Sequence, residues 1–221
     1  MIRRRTAVLV LASCLGLSAC GNSQQLRTAG PDPSPTPSAG VIGRQTVSND
    51  AWPAPLRDYL GPADTYSVIR ASIDRIGDPF YGPARNADTA GAQTIYTPFE
   101  LSSVQVLRGR DGPVDTVAVE GGAIGSDSVT VDGGALEASA GTAIYAVVTA
   151  PGTRQVGPAQ AVVAHLFPVL ANGDVFLREN ILPDAASRNS PTDAQYTDRR
   201  GKSRQGRTMR RDAFESAVRN S

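Results

Sequence analysis

The first apolar run in the chain, Thr6 to Leu17, follows three consecutive arginines, Arg3 to Arg5, and closes on Leu17-Ser18-Ala19-Cys20. About a dozen apolar residues is signal-peptide length; a membrane-spanning helix needs roughly twenty. Beyond it, from Gly21 to Asn49, no hydrophobic period emerges. Pro31, Pro33, Pro35 and Pro37 alternate with Asp32, Ser34 and Thr36, a pattern too polar to bury and biased toward extended polyproline geometry. The pattern predicts a signal segment over residues 1–19 and a disordered tether over residues 20–50.

Hydrophobic order returns after Trp52, and one folded domain is expected over residues 51–184. Val68, Ile69, Ser72, Ile73 and Ile76 fit a helical face as well as a strand. Their β-branched character and the stop at Gly77-Asp78-Pro79 favour a strand. A long loop, Asp78 to Gln93, follows. Ile95, Thr97, Phe99 and Leu101 then alternate with their neighbours, and Val104 and Val106 resume on the other parity. That change of phase at Ser102-Ser103 predicts a β-bulge. Further strands are expected at Val114 to Val119, at Val129 to Val131 and over the apolar run Thr142 to Thr149. Ala161 to Leu170 and Asp174 to Leu177 flank Ala171-Asn172-Gly173, a strong hairpin signal. Six or seven strands with Gly-rich turns imply a mainly β fold, a small antiparallel barrel or sandwich.

The last segment, residues 185–221, reads as a basic linker and a helix. Thr208 is placed to N-cap a helix from Met209 to Asn220. Met209, Ala213, Phe214, Ala217 and Val218 share one face of it, with Arg210, Arg211, Glu215 and Arg219 around the rest. A helix this short forms only when its face is buried, and docking on the domain is expected rather than docking on anionic lipid.

Charge sharpens this picture. The precursor is +1, and without the three signal arginines the chain is −2. Residues 99–184 carry four basic and ten acidic side chains, residues 185–221 nine basic and four acidic. An acidic body with a basic tail lacks the basic face on the fold that nucleic-acid binding needs. For the cluster from Arg199 to Arg211, the open readings are anionic lipid, an acidic polymer, the acidic body itself or a solvated linker. Arginine outnumbers lysine twenty-one to one, as in a GC-rich genome such as an actinobacterium's.

Leu17-Ser18-Ala19-Cys20 resembles the lipobox of bacterial lipoproteins, an aliphatic residue and two small ones before an invariant cysteine. The resemblance implies a diacylglycerol thioether on Cys20, cleavage before it, and a chain held on the extracytoplasmic face of the cell membrane. Cys14 would leave with the signal, so no disulfide framework is expected. Within the domain, Tyr96-Thr97-Pro98-Phe99, Val104 to Gly109, Glu120-Gly121-Gly122 and the Gly141-to-Val148 strand resemble the small OB-like or netrin-like barrels of exported bacterial lipoproteins. That resemblance implies an OB-like barrel and brings no catalytic residues with it.

Candidate chemistry is sparse. Val117 to Gly122 is echoed by Val129 to Gly134, which would set Asp127 and Asp132 near a cation; two strands turning through Gly-Gly explain the echo without a metal. His165 is the sole histidine, so a zinc site lacks ligands. As a hydrolase base, His165 lacks a Gly-x-Ser-x-Gly nucleophile elbow. The single lysine, Lys202, is outside any phosphate-loop pattern. The expectation is therefore a membrane-anchored, non-catalytic binding domain with no catalytic residues, metal or cofactor. Its partners are the membrane, through Cys20, and an envelope protein or ligand that the residues do not name. A hydrolase using His165 and a purely structural envelope protein are the alternatives.

Overall fold

The computed structural model describes residues 42–48, 53–84, 92–132, 138–182, 192–199 and 201–221. The signal segment with Cys20, the prolines of the tether, and Gly133-Gly134 of the echo lie outside the described residues. All described residues fall in one compact unit, residues 40–221.

In chain order the elements are β1 (Arg44–Ser48), β2 (Ala54–Pro55), α1 (Leu56–Leu60), β3 (Tyr66–Ile76), β4 (Phe80–Pro83), β5 (Gln93–Arg108), β6 (Thr116–Glu120), β7 (Gly122–Ile124) and β8 (Asp127–Asp132). They continue with β9 (Ala143–Thr149), β10 (Ala161–Pro168), β11 (Val175–Arg178), β12 (Ile181–Leu182), β13 (Thr192–Thr197), β14 (Ser203–Met209) and α2 (Arg211–Arg219). Strands β3, β9, β10, β6 and β5 pair in that order, and β5 returns to β3, closing a small barrel. Numbered along the chain, the ring runs first, second, third, fifth, fourth, the order of an OB barrel. The expected small β-barrel is present, antiparallel in every pair but one: β6 and β10 run parallel.

The barrel interior follows from the strand patterns. Ile69, Ala71 and Ile73 of β3, Ile95, Phe99 and Leu101 of β5, and Ile144, Ala146 and Val148 of β9 share one core. On β3 and β9 the opposite parity is buried too: Val68, Tyr145 and Val147 belong to a second core outside the barrel. Burial on both faces gives a continuous apolar run, and that is why Val68 to Ile76 carried an ambiguous period. The bulge is where the parity changes: Gln105 pairs with Arg70 and Ser102 with Ser72, so two β5 residues face Ala71 alone. Ser103, with φ 53, is the one non-glycine residue at positive φ among the described residues.

The second core lies under α1, α2 and the sheet β11-β14-β13. Leu56, Leu60, Val175, Leu177, Met209, Phe214 and Val218 cover the outer face of the barrel there. Docking of the C-terminal helix is as expected, but its cap is not. Thr208 belongs to β14, the helix starts after Arg210, and no side chain caps it. The hairpin at Asn172-Gly173 forms its turn, with Gly173 N donating to Leu170 O, yet β11 then leaves β10 and pairs with β14.

Two boundary expectations are also corrected. β1 lies in the stretch assigned to the tether and pairs in parallel with β8. β13 and β14 lie in the stretch read as a basic linker, and form a hairpin whose Gly206 sits against β11. β1, β7 and β8 close one end of the barrel: Val129 and Val131 enter the barrel core, with Ile42, Val47 and Ile124 packed against it.

Candidate functional site

A barrel of this strand order usually binds ligands on the outer face of its second and third strands, between the loops after its first and fourth. Here that face carries Tyr96 of β5 and Ala118 of β6, and it is already covered. Val156 and Ala159, from the loop between β9 and β10, pack on them together with Val162 and Phe80. The loop holds its shape through reciprocal backbone bonds between Val156 and Ala159, at 3.2 and 3.0 Å. The rings of Phe80 and Tyr96 stack at 6.0 Å. Tyr96 Oη donates to Pro83 O, and Arg154 Nη2 donates to Pro83 O, Ala84 O and Tyr96 Oη. A Cβ on Gly157 would lie 2.5 Å from the Phe80 ring, so the loop approaches as closely as glycine allows. The face is part of the core.

An open groove of about 450 Å³ lies at the barrel end that β7 and β8 close. One wall is the β3–β4 bend, Ile76, Gly77 and Pro79; the other is Ala123, Ser128 and Thr130, and Arg199 stands at the rim. Its floor requires glycine at position 122: φ is 142°, and a Cβ would meet Thr97 Oγ1 at 2.8 Å. Thr97 is spent on Gly121 O, at 2.7 Å. Ser128, Thr130 and Arg199 make no side-chain hydrogen bond among the described residues, so two hydroxyls and one guanidinium face the groove's solvent.

The acid next to Ser128 in sequence, Asp127, is already engaged. Asp127 is buried; Oδ2 accepts Ile42 N at 3.1 Å and Tyr81 Oη at 3.0 Å, and Oδ1 accepts Gly43 N at 3.1 Å. The Ile42 amide first, then Tyr81 and Gly43, hold its carboxyl below the usual carboxylate range. Asp127 thus clamps the start of β1 onto β8, a role no local sequence signal carries because its partners lie some eighty residues upstream. The side chain of Asp132 is outside the described residues. Among the described residues, no three His, Cys, Asp or Glu side chains gather as metal ligands would.

No family model, curated protein or solved structure matches this chain.

His165, the candidate base, is half-buried on β10, and its ring lies edge-on to Tyr59 with centroids 5.1 Å apart. Tyr59 Oη in turn accepts from Asn180 Nδ2 at 3.0 Å, so this group stitches α1 to the segment before β12.

A second polar cluster surrounds Glu215 on α2. Tyr145 Oη donates to Glu215 Oε1 at 2.6 Å, Arg211 Nε to the same oxygen at 3.3 Å, and Arg219 Nη2 to Oε2 at 3.0 Å. Arg70 stands 3.8 Å away. The Tyr145 bond first, then Arg211 and Arg219, lower the Glu215 pKa. Burial, then Glu215, pushes the Tyr145 phenol up to about 12. The Arg211-Glu215-Arg219 spacing was a legible sign of the helix surface, but Tyr145 lies far away in sequence.

These shifts set the pH response of stability. Asp127 and Glu215 are depressed, so their contribution is present above their unfolded values, near 3.8 and 4.5, and is lost as pH falls through their lower folded ones. Tyr145 is raised, so its contribution is present below 10.0 and is lost as pH rises from there through about 12. Melting curves against pH should fall at both ends; Glu215→Gln should flatten the acid limb and Tyr145→Phe the alkaline one. An alkaline limb unaltered in Tyr145→Phe would count against the buried phenol.

Proposed function

We propose that this chain is a cell-envelope lipoprotein, anchored on the extracytoplasmic face of the cell membrane through Cys20, whose OB-order barrel is a non-catalytic binding module. The signal-like N-terminus and lipobox-like tetrad support the anchor. The observation that carries the binding reading is a contrast between two surfaces. The customary ligand face is filled by Phe80, Val156 and Ala159, while the groove at the other site stays open and keeps Ser128, Thr130 and Arg199 uncommitted. Among the described residues that line the groove, no carboxylate or histidine stands with the two hydroxyls as an acid or base for turnover. His165, against Tyr59, is not among its lining residues.

Crosslinking the protein in intact cells and recovering it from membranes tests this reading. Thr130→Trp, which places an indole in the groove, should lose the crosslinked partner while the fold melts normally. A partner retained undiminished by Thr130→Trp would remove the groove from the account. Hydrolytic turnover abolished by His165→Ala would replace the binding module with an enzyme.

A further inference from the structure

The β13–β14 hairpin turns around one acid. Asp198 Oδ1 accepts Lys202 N at 2.9 Å, Asp198 N donates to Lys202 O at 3.0 Å, and Gly201 N donates to Asp198 O at 2.9 Å. Oδ2 accepts Arg204 Nε at 3.3 Å, and the Asp198 side chain is 0% exposed. The turn has therefore drawn its only acid inward and matched it. Arg199 and Lys202 remain outside, exposed and without an ion pair among the described residues. Among the described side chains of the tip, the charged ones that meet solvent are both cations.

The position of that tip matters more than its charge. Arg199 borders the groove beside Ser128 and Thr130 of β8. β8 pairs with β1, Ser128 opposite Arg44 and Thr130 opposite Thr46. β1 is where the chain from Cys20 joins the fold, and Arg44 is exposed there. Ser128 thus has Arg44 paired opposite it and Arg199 beside it in the groove lining, and β1 follows closely along the chain on residues 20–41. Among the described side chains, the acids adjoining the groove's lining residues in sequence are Asp127, buried and held by Ile42, Gly43 and Tyr81, and the exposed Asp78 next to Gly77. Among these described side chains, the exposed cations Arg44, Arg199 and Lys202 outnumber the one exposed acid, Asp78.

We propose that this end of the domain docks on the anionic surface of the bilayer, with a phosphate-bearing lipid headgroup entering the groove between Arg199 and the Ser128 and Thr130 hydroxyls. The proposal rests on the anchored reading above and names the partner of the same groove. A guanidinium and two hydroxyls are donors suited to a phosphate, and Ile76 and Pro79 give the remaining wall an apolar surface. Three exposed cations bind an anionic surface weakly from solution. Anchoring through Cys20 changes that, because only residues 21–41 separate the anchor from the described fold along the chain. At such range a weak patch acts at high effective concentration. A free acidic polymer would have no reason to find its cations gathered beside the tether.

The test separates docking from anchoring. The chain from Cys20 to Ser221 has a single cysteine, so it couples to a maleimide lipid whether or not cells acylate it. Coupled to vesicles of phosphatidylcholine alone or of phosphatidylcholine with phosphatidylglycerol, it is followed by amide hydrogen exchange. Exchange at Gly201 to Arg204 and at Ile42 to Gln45 should slow several-fold on the anionic vesicles only. The slowing should vanish in about 1 M salt, where the Debye length is about 3 Å, and in the Arg199→Glu/Lys202→Glu variant, whose melting temperature serves as the folding control. Equal exchange on both vesicles overturns the proposal, as does slowing that survives the charge reversal. Protection by soluble inorganic polyphosphate without protection on anionic vesicles overturns it in favour of a soluble anion. Absence of acyl chains on Cys20 in protein from cells would instead defeat the anchored reading, independently of the vesicle result.

Discussion

Phe214→Ala lowers the melting temperature of the domain by about 10 °C, and Phe214→Asp lowers it further. Phe214 is fully buried, with ring centroids 4.8 Å from Tyr145 and 5.3 Å from Phe167. Emptying a buried phenylalanine site costs about 3–5 kcal/mol. For a domain of this size each kcal/mol moves the midpoint by roughly 2–4 °C. An aspartate there would also place an unpaired carboxylate against two aromatic rings and close to Glu215. The loss should be global, because α2 covers the same outer core that β9, β10 and α1 share. Thermal melting read by circular dichroism measures it. A midpoint unmoved in Phe214→Asp would mean the helix is not seated on the barrel.

Gly206→Ala comes next in size and probes the segment that looked like a linker. Gly206 lies in β14 opposite Arg178, and a Cβ there would collide with the Leu177 carbonyl oxygen and the Phe176 ring. One of the colliding groups is backbone, so relief requires β14 and β11 to move apart. Forced overpacking of this kind costs about 1–3 kcal/mol, a midpoint fall of roughly 3–10 °C. Faster amide exchange in β13 and β14 should accompany it. In a solvated linker the same change would do nothing, so an unchanged midpoint would restore that reading.

The legibility of the chain divides along a physical line. Strands with one face in the barrel and one outside alternate, and β5 could be read to the residue at which its parity slips, Ser102-Ser103. β9 was legible as an apolar run because both of its faces are covered. β13 and β14 were not, since Asp193, Gln195, Arg204 and Arg207 make a polar surface sheet with few buried positions and no apolar period. β1 hid for the same reason: Arg44, Gln45 and Thr46 are exposed, and the strand exists because β8 and Asp127 hold it. The Thr208 cap failed because β14 takes that residue into a ladder with Phe176 and Thr192, so the chain is extended where the cap would have formed. For the candidate site, the glycines of β6–β7 were visible but their purpose was not. Gly122 is needed because the fold brings Thr97 and Pro79 against it, and Arg199 reaches the rim from a hairpin far along the chain. The filled ligand face was equally hidden, because Arg154 and Val156 act on it through a loop whose sequence reads only as turn.

The measurement that bears most directly on the account is the intact mass of the protein extracted from cell membranes. The account predicts a chain beginning at Cys20 and carrying a diacylglycerol on that residue, and its disappearance from membranes in Cys20→Ala. A membrane-recovered protein with unmodified Cys20, or a Cys20→Ala variant that remains fully membrane-bound, would contradict it.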